Sequence, residues 1–395
     1  MKILIVGLST RAIAESAVHS GYQVEALDAF GDLDLQALPR RHSHNQAMPT
    51  GLVKCYSLKR DFHVSFSAAA LLAASQRLAF DLVAYISNLE NHPEVIRRFA
   101  RHHQVLGNPA EVLTLVRHWP TLFAALAQAG FRVPETIYNG DSRRADPARV
   151  WLRKPISSGG GHGITFWRGE VSPGRGFMLQ EYVPGLACSA SFVANGRECA
   201  VVGLTEQLVG QPEFGAHGFH YCGNLLPLNV ARDPAIGRTI LEQVRQIAAL
   251  VTREFELVGV NGMDFLLSGN QVCLTEINPR YSASMELIER AYGLLMFDLH
   301  VRAVLHGELP EFDLATRLAD GPFHGKAIVY AERDAVAPDT QSWLAREIRD
   351  VPVPGESLTQ GGPICTVLAC EPTRDSCFAN LVAQAEALKG EIYAG

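Results

Sequence analysis

At 395 residues the chain is long enough for two or three domains with cores of their own. Its 35 basic and 41 acidic residues, a net charge of −6, leave no polybasic footprint for nucleic acid or an anionic membrane surface. No apolar run reaches the length of a membrane span, Met1 to Leu8 is too short and too soon broken by Arg11 for a signal peptide, and eight cysteines without a Cys-x-x-Cys pair point to reduced thiols in a cytoplasmic protein. The chain opens on an apolar strand, Met1 to Val6, followed by a helix from Gly7 to Ser20 and a second strand from Gln23 to Leu27, a βα unit of an open parallel sheet. Asp28 stands where a dinucleotide fold binds a ribose, but Gly7–Leu8–Ser9–Thr10–Arg11 lacks the Gly-x-Gly-x-x-Gly that a pyrophosphate requires, so the unit reads as structural.

A later strand, Asp81 to Ile86, ends in the polar loop Ser87–Asn88–Leu89–Glu90–Asn91. Open α/β sheets bind ligands at that end, although a solvated loop is the plainer reading. Gly107–Asn108–Pro109 marks a boundary, and Thr121 to Gln128 reads as a helix stopped by Gly130. Val150 to Pro155 is then a strand carrying Lys154, followed at once by Ser157–Ser158–Gly159–Gly160–Gly161–His162–Gly163. Glycines let backbone N–H groups approach an anion, and the lysine adds a point charge. The order excludes a Walker A loop, in which the lysine follows the glycines. Taken alone, the segment is as compatible with a linker.

Phe177 to Gly185 is an apolar strand, with Gln180, Glu181, Tyr182 and Val183 leading into a Pro–Gly turn; its backbone and flanking side chains suit an adenine edge. Ile240, Val244, Ile247 and Val251 have the spacing of one buried helix face. Val260 to Leu267 and Gln271 to Leu274 bracket Ser268–Gly269–Asn270 as a hairpin, with Asp264 on one arm and Glu276 on the other. Side chains two apart on a strand share a face, so Glu276 and Asn278 lie side by side. Three hard oxygen donors then converge, which suits Mg2+ with phosphate and water completing the octahedron. A lone Glu-x-Asn would be an ordinary hairpin end; the other motifs change that weighting. Gly325 to Tyr330 and Ile364 to Ala369 read as strands and Ser376 to Leu388 as a final helix.

Lysine with a glycine-rich loop, then Gln180 to Gly185, a distal Asp264 and the Glu276–Ile277–Asn278–Pro279–Arg280 strand, in this order, resemble the ATP-grasp superfamily of ATP-dependent ligases over roughly residues 105 to 310. The chain looks most like the predicted carboligases related to biotin carboxylase. The resemblance implies an α/β and α+β architecture: a Rossmann-like N-terminal domain (1–106), an ATP-grasp domain (107–318) with its lid at about 146–200, and a small β-rich C-terminal domain (319–395). It implies ATP and Mg2+ (or Mn2+) as cofactors, with Lys154 on the α/β-phosphates and Ser157 to Gly163, including Ser158, Gly159, Gly160 and Gly161, as the lid. Gln180 to Val183 would form the adenine hinge, Asp264, Glu276 and Asn278 the metal ligands, and Arg280 the group facing the γ-phosphate or acyl phosphate. Ser9 or Arg11 would be candidates to touch the carboxylate substrate.

Two features depart from the family. Leu186–Ala187–Cys188–Ser189 stands where many members hold the ribose with an acid, and Arg117–His118–Trp119–Pro120 stands where many carry a second lysine. Arg117 is a candidate for that charge, a surface arginine being the alternative. The lid has four glycines and no large apolar side chain, so little is expected to anchor it without ligand. Cys188, Cys199 and Cys273 fall in predicted strands and read as buried, and the histidines show no metal-binding spacing. The implied reaction joins a carboxylate to an amine through an acyl phosphate. Biotin-carboxylase-like carboxylation, phosphoryl transfer without ligation and a non-catalytic ATP-binding protein are the alternatives, and a homodimer is left open.

Overall fold

The computed structural model describes residues 2–38, 40, 41, 50–138, 144–169 and 172–394. Its N-terminal part is a six-stranded sheet in the order Arg40–Arg41, Thr50–Ser57, Gln23–Asp28, Ile3–Val6, Leu82–Tyr85, Gln104–Leu106; all pairings are parallel except that of Arg40–Arg41 at the edge. Ile3 to Val6 are all buried, as befits a central parallel strand covered on both faces. The first helix begins at Arg11, leaving Gly7 to Thr10 as a loop where the sequence suggested helix. Asp28 is a buried clasp: it accepts hydrogen bonds from Thr10 N (2.9 Å), Thr10 Oγ1 (2.8 Å), Phe30 N (3.0 Å) and Gly31 N (2.7 Å). The chain builds outward from Ile3–Val6 on one side and then resumes at Leu82–Tyr85 on the other. The topological switch point therefore lies between these two strands, with Gly7–Thr10 and Ser87–Asn91 at its rim.

A four-stranded antiparallel sheet, Thr136–Ile137, Phe177–Glu181, Trp151–Pro155 and Thr165–Phe166, carries the glycine-rich loop expected to be the lid. The largest sheet is antiparallel with seven strands, ordered Gln271–Asn278, Val258–Ser268, Leu186–Asn195, Cys199–Val209, Tyr221–Leu226, Phe323–Tyr330 and Pro363–Glu371. The last two strands come from the C-terminal segment, so one sheet runs without a break across position 318. The helix Pro234–Phe255 starts at Asp233, whose carboxylate accepts from Ala235 N and Ile236 N, and it buries Ile240, Val244, Ile247 and Val251. The final helix, Arg374–Tyr393, is capped by Thr373 and buries Cys377, Leu381, Ala385, Leu388 and Ile392.

Polar contacts tie the layers together. Asn108 donates to Asn261 Oδ1 (2.9 Å) and Pro279 O (3.1 Å) and accepts from Val258 N (2.8 Å), which pins the boundary segment under the hairpin. His300, fully buried, accepts from Val260 N at Nδ1 (3.0 Å), which leaves Nε2–H to donate to Leu106 O (3.2 Å). Among the described residues no helix is long and apolar enough to cross a membrane.

Candidate active site

The hairpin forms as its sequence suggests, turning at Gly269 with φ +60°, and its register sets Asp264 directly opposite Glu276. A bulge after Asp264 shifts the pairing by one residue there. Asn278 Nδ2 donates to Asp264 Oδ2 (2.9 Å), and Gln207, reaching from Cys199–Val209, donates to Asp264 Oδ1 (2.9 Å). Arg280 donates to Asn278 Oδ1 (3.2 Å) and pairs with buried Glu90 (2.8 Å). Arg117 contacts Glu276 and donates to Ile277 O (3.1 Å), so it packs against the hairpin and is not a surface arginine.

These contacts set the charges. Burial, and then the neighbouring Glu276 charge, raise Asp264 to about 6, against the Asn278 hydrogen bond. Burial also acts to raise Glu276, but Arg117 and Lys154 outweigh it and hold the carboxyl below its ordinary value. Lys154 is lowered by burial and by Arg117, although Glu276 and Asp264 oppose this. For Arg280 the Glu90 pair overcomes burial and raises it. Two carboxylates held together away from water have a like-charge cost that a divalent cation would remove, so the pair with the Asn278 amide oxygen fits Mg2+. Among the described residues no three His, Cys, Asp or Glu side chains form a cage, so phosphate and water oxygens would have to complete the shell.

Lys154 sits on Trp151–Pro155 opposite Met178, with Nζ 4.6 Å from the centre of the Trp119 ring. The lid that follows is anchored, contrary to expectation. Tyr221 N donates to Gly160 O (3.0 Å), and the His162 and His220 rings meet Nε2 to Nε2 at 3.0 Å. Gly161 has φ +74°, and a Cβ there would lie 1.8 Å from Phe219 O, so only glycine lets the loop dock this closely. Ser157 is exposed, and Ser158 is half-buried.

In the hinge, Gln180 and Val183 are buried and Tyr182 is exposed, its ring 5.4 Å from that of Phe166. The Glu181 and Tyr182 N–H groups already donate to Glu135 O and Val150 O (2.8 Å each), and the Glu181 carboxylate accepts from Glu135 N (3.1 Å). A nucleotide would therefore have to use other backbone groups of this segment.

Arg11 is not a substrate contact. It is fully buried and paired with Glu286, Asp350 (3.1 Å) and Asp34 (3.4 Å), while Lys326 completes the network at 2.5 Å from Glu286. This joins the N-terminal sheet to the C-terminal strands. Glu90, Gln207 and His220 went unassigned from sequence, whereas His162 lay within the expected lid. Glu90 lay in a loop that the strand pattern had marked, whereas Gln207 and His220 gave no local signal.

Residues 120–284 match the model of the ATP-grasp domain family. Over 383 residues the chain is 23% identical to an uncharacterised protein of Methanocaldococcus jannaschii, covering 94% of this chain and 88% of that protein. The biotin carboxylase domain of Hydrogenobacter thermophilus 2-oxoglutarate carboxylase, solved with MgADP, ADP and bicarbonate, superposes with a TM-score of 0.70 at 13% identity, covering 96% of this chain and 88% of that one. The L-amino acid ligase of Bacillus licheniformis superposes with a TM-score of 0.68 at 12% identity, covering 98% and 97%. The chain thus carries an ATP-grasp domain, set in a fold that it shares with biotin carboxylase.

Proposed function

We propose that this protein is an ADP-forming carboxylate–amine ligase that uses ATP and Mg2+ on small-molecule substrates. The observation that carries the reading is the convergence of Asp264, Glu276, Asn278, Arg280, Arg117 and Lys154, with the glycine-rich loop that follows Lys154 docked on Phe219–Tyr221. A carboxylate is a poor electrophile, so the γ-phosphate of ATP is first transferred to it. Lys154 and Arg280 hold the phosphate and carboxylate oxygens in line and spread the developing charge. Asp264, Glu276 and Asn278 would hold Mg2+, which when bound would add charge neutralisation on the phosphates. Gly159 to Gly161 cover the phosphates, and Gln180 to Val183 flank the adenine. Lid docking on Phe219–Tyr221 excludes water, which protects the acyl phosphate until an amine attacks and expels phosphate.

On this reading 1–106 is the Rossmann-like part and 107–318 the ATP-grasp part, with 319–395 adding two strands to the large sheet of the latter, and the protein works in the reducing cytoplasm, in keeping with eight unpaired cysteines. Carboxylation is the competing chemistry, because the similar carboxylase domain was solved with bicarbonate. Screening carboxylates against amines, with bicarbonate as a separate arm, and measuring ADP and product together tests the proposal. Amide formed in step with ADP is expected. ADP release that depends on bicarbonate alone, or on no substrate at all, refutes it.

A further inference from the structure

Glu90 lies at the topological switch point, in the loop that follows Leu82–Tyr85, and it is 2% exposed. One of its carboxylate oxygens pairs with Arg280 (2.8 Å), while Oε2 is buried with no partner among the described residues. The same short loop holds two more buried polar atoms without a partner, Asn88 Oδ1 and Asn91 Nδ2. Buried polar atoms are ordinarily paired, and three orphans on one loop of four residues beside a candidate catalytic arginine call for an explanation.

Their chemistry is mixed. Glu90 Oε2 and Asn88 Oδ1 accept, and the former carries negative charge; Asn91 Nδ2 donates. Asn91 is a strengthened donor, because Arg117 donates to its Oδ1 twice, at 2.8 and 3.2 Å, and polarises the amide. A lone anion would leave the two acceptors unmatched, and a simple amine would leave the donor unmatched. A small zwitterion satisfies both.

We propose that Glu90, Asn88 and Asn91 form the amine-substrate subsite and that the amine is an α-amino acid, its ammonium on Glu90 Oε2 and Asn88 Oδ1 and its carboxylate on Asn91 Nδ2. This rests on the ligase reading for its place in the reaction. Glu90 and Arg280 are in contact, so the amine nitrogen is delivered beside the acyl phosphate that Arg280 faces. The ammonium gives one proton to Glu90 Oε2. The freed nitrogen lone pair then attacks the acyl carbon, a C–N bond forms, the C–O bond to phosphate breaks, and the phosphate leaves carrying the second proton lost from the nitrogen.

The test is calorimetric titration of the full chain, with and without MgADP, using each proteinogenic amino acid. Any that binds is followed by its 2-hydroxy analogue, which lacks the ammonium, and its amide, which lacks the carboxylate. Both analogues are expected to bind at least about tenfold more weakly. Glu90→Gln and the isosteric Asn91→Asp should each cost at least about tenfold in amino-acid affinity while MgADP affinity is retained. The proposal is overturned if no amino acid binds, if the hydroxy analogue binds equally well, or if both variants bind normally. A separate ADP-release assay keeps the two readings apart. Amino-acid binding without ADP release for any carboxylate refutes the ligase and leaves the subsite standing. Ligation of an amine that is not an amino acid, with no amino acid bound, refutes the subsite and leaves the ligase standing.

Discussion

Replacing Gly161 with alanine tests whether the docked lid couples ATP use to product. The added Cβ would sit 1.8 Å from Phe219 O, a backbone atom that cannot swing aside, on a residue with φ +74°. An L side chain in that region costs roughly 1–2 kcal/mol, and lifting the loop forfeits the Tyr221 to Gly160 hydrogen bond, about 1 kcal/mol more. A loss of about 2–3 kcal/mol lowers the closed population by roughly 30- to 150-fold relative to the open one. Turnover should fall at least tenfold and less product should form per ADP, with the melting temperature little changed, because no residue of the loop from Ser157 to Gly163 belongs to a hydrophobic core. At Gly159 an added Cβ would meet nothing within 4 Å, and the residue has no positive φ, so Gly159→Ala should do much less damage. Steady-state ADP release and product yield, measured in one assay, decide the matter. Gly161→Ala with wild-type turnover and coupling would refute the lid reasoning.

Three further outcomes are expected. His300 is fully buried, with its pKa lowered from 6.5 to about 4 by burial; a depressed histidine contributes stability above its unfolded pKa that is lost as pH falls. About 3 kcal/mol should therefore disappear between pH 6.5 and 4, visible as a pH-dependent denaturation midpoint that flattens in His300→Gln. Glu276→Gln should abolish most turnover with little change in unliganded melting temperature, because the lost Arg117 pair and the relieved repulsion with Asp264 oppose one another; full retained activity would remove Glu276 from the site. Lys154→Ala should weaken ATP binding much more than adenosine binding when the two are titrated separately, since the proposed partner of the amine is phosphate.

The candidate cation-binding carboxylates were legible because they lie on one hairpin. Asp264, Glu276 and Asn278 are brought together by a three-residue turn signal and the alternation of strand side chains, both local properties of the chain. The helix face at Ile240 to Val251 was legible for the same reason, since its period is local and its burial follows. What surrounds that hairpin was decided by tertiary structure. Arg117, Glu90 and Gln207 reach it from a helix end, a loop of another sheet and a more distant strand of the same sheet, and no pattern within any of those segments names the partner. Arg11 shows the converse: a basic residue at a strand end suggested a substrate contact, but two of the acids that neutralise it, Glu286 and Asp350, lie far along the chain. The lid illustrates both levels. Its glycines announced a backbone free to adopt positive φ, while the surface it docks against, Phe219 to Tyr221, exists only once the seven-stranded sheet has formed. Periodicity and turn chemistry act over a few residues and are written in the sequence; the pairing of buried charges depends on which distant elements the fold brings into contact, because a charge removed from water must find its counterion wherever packing places it.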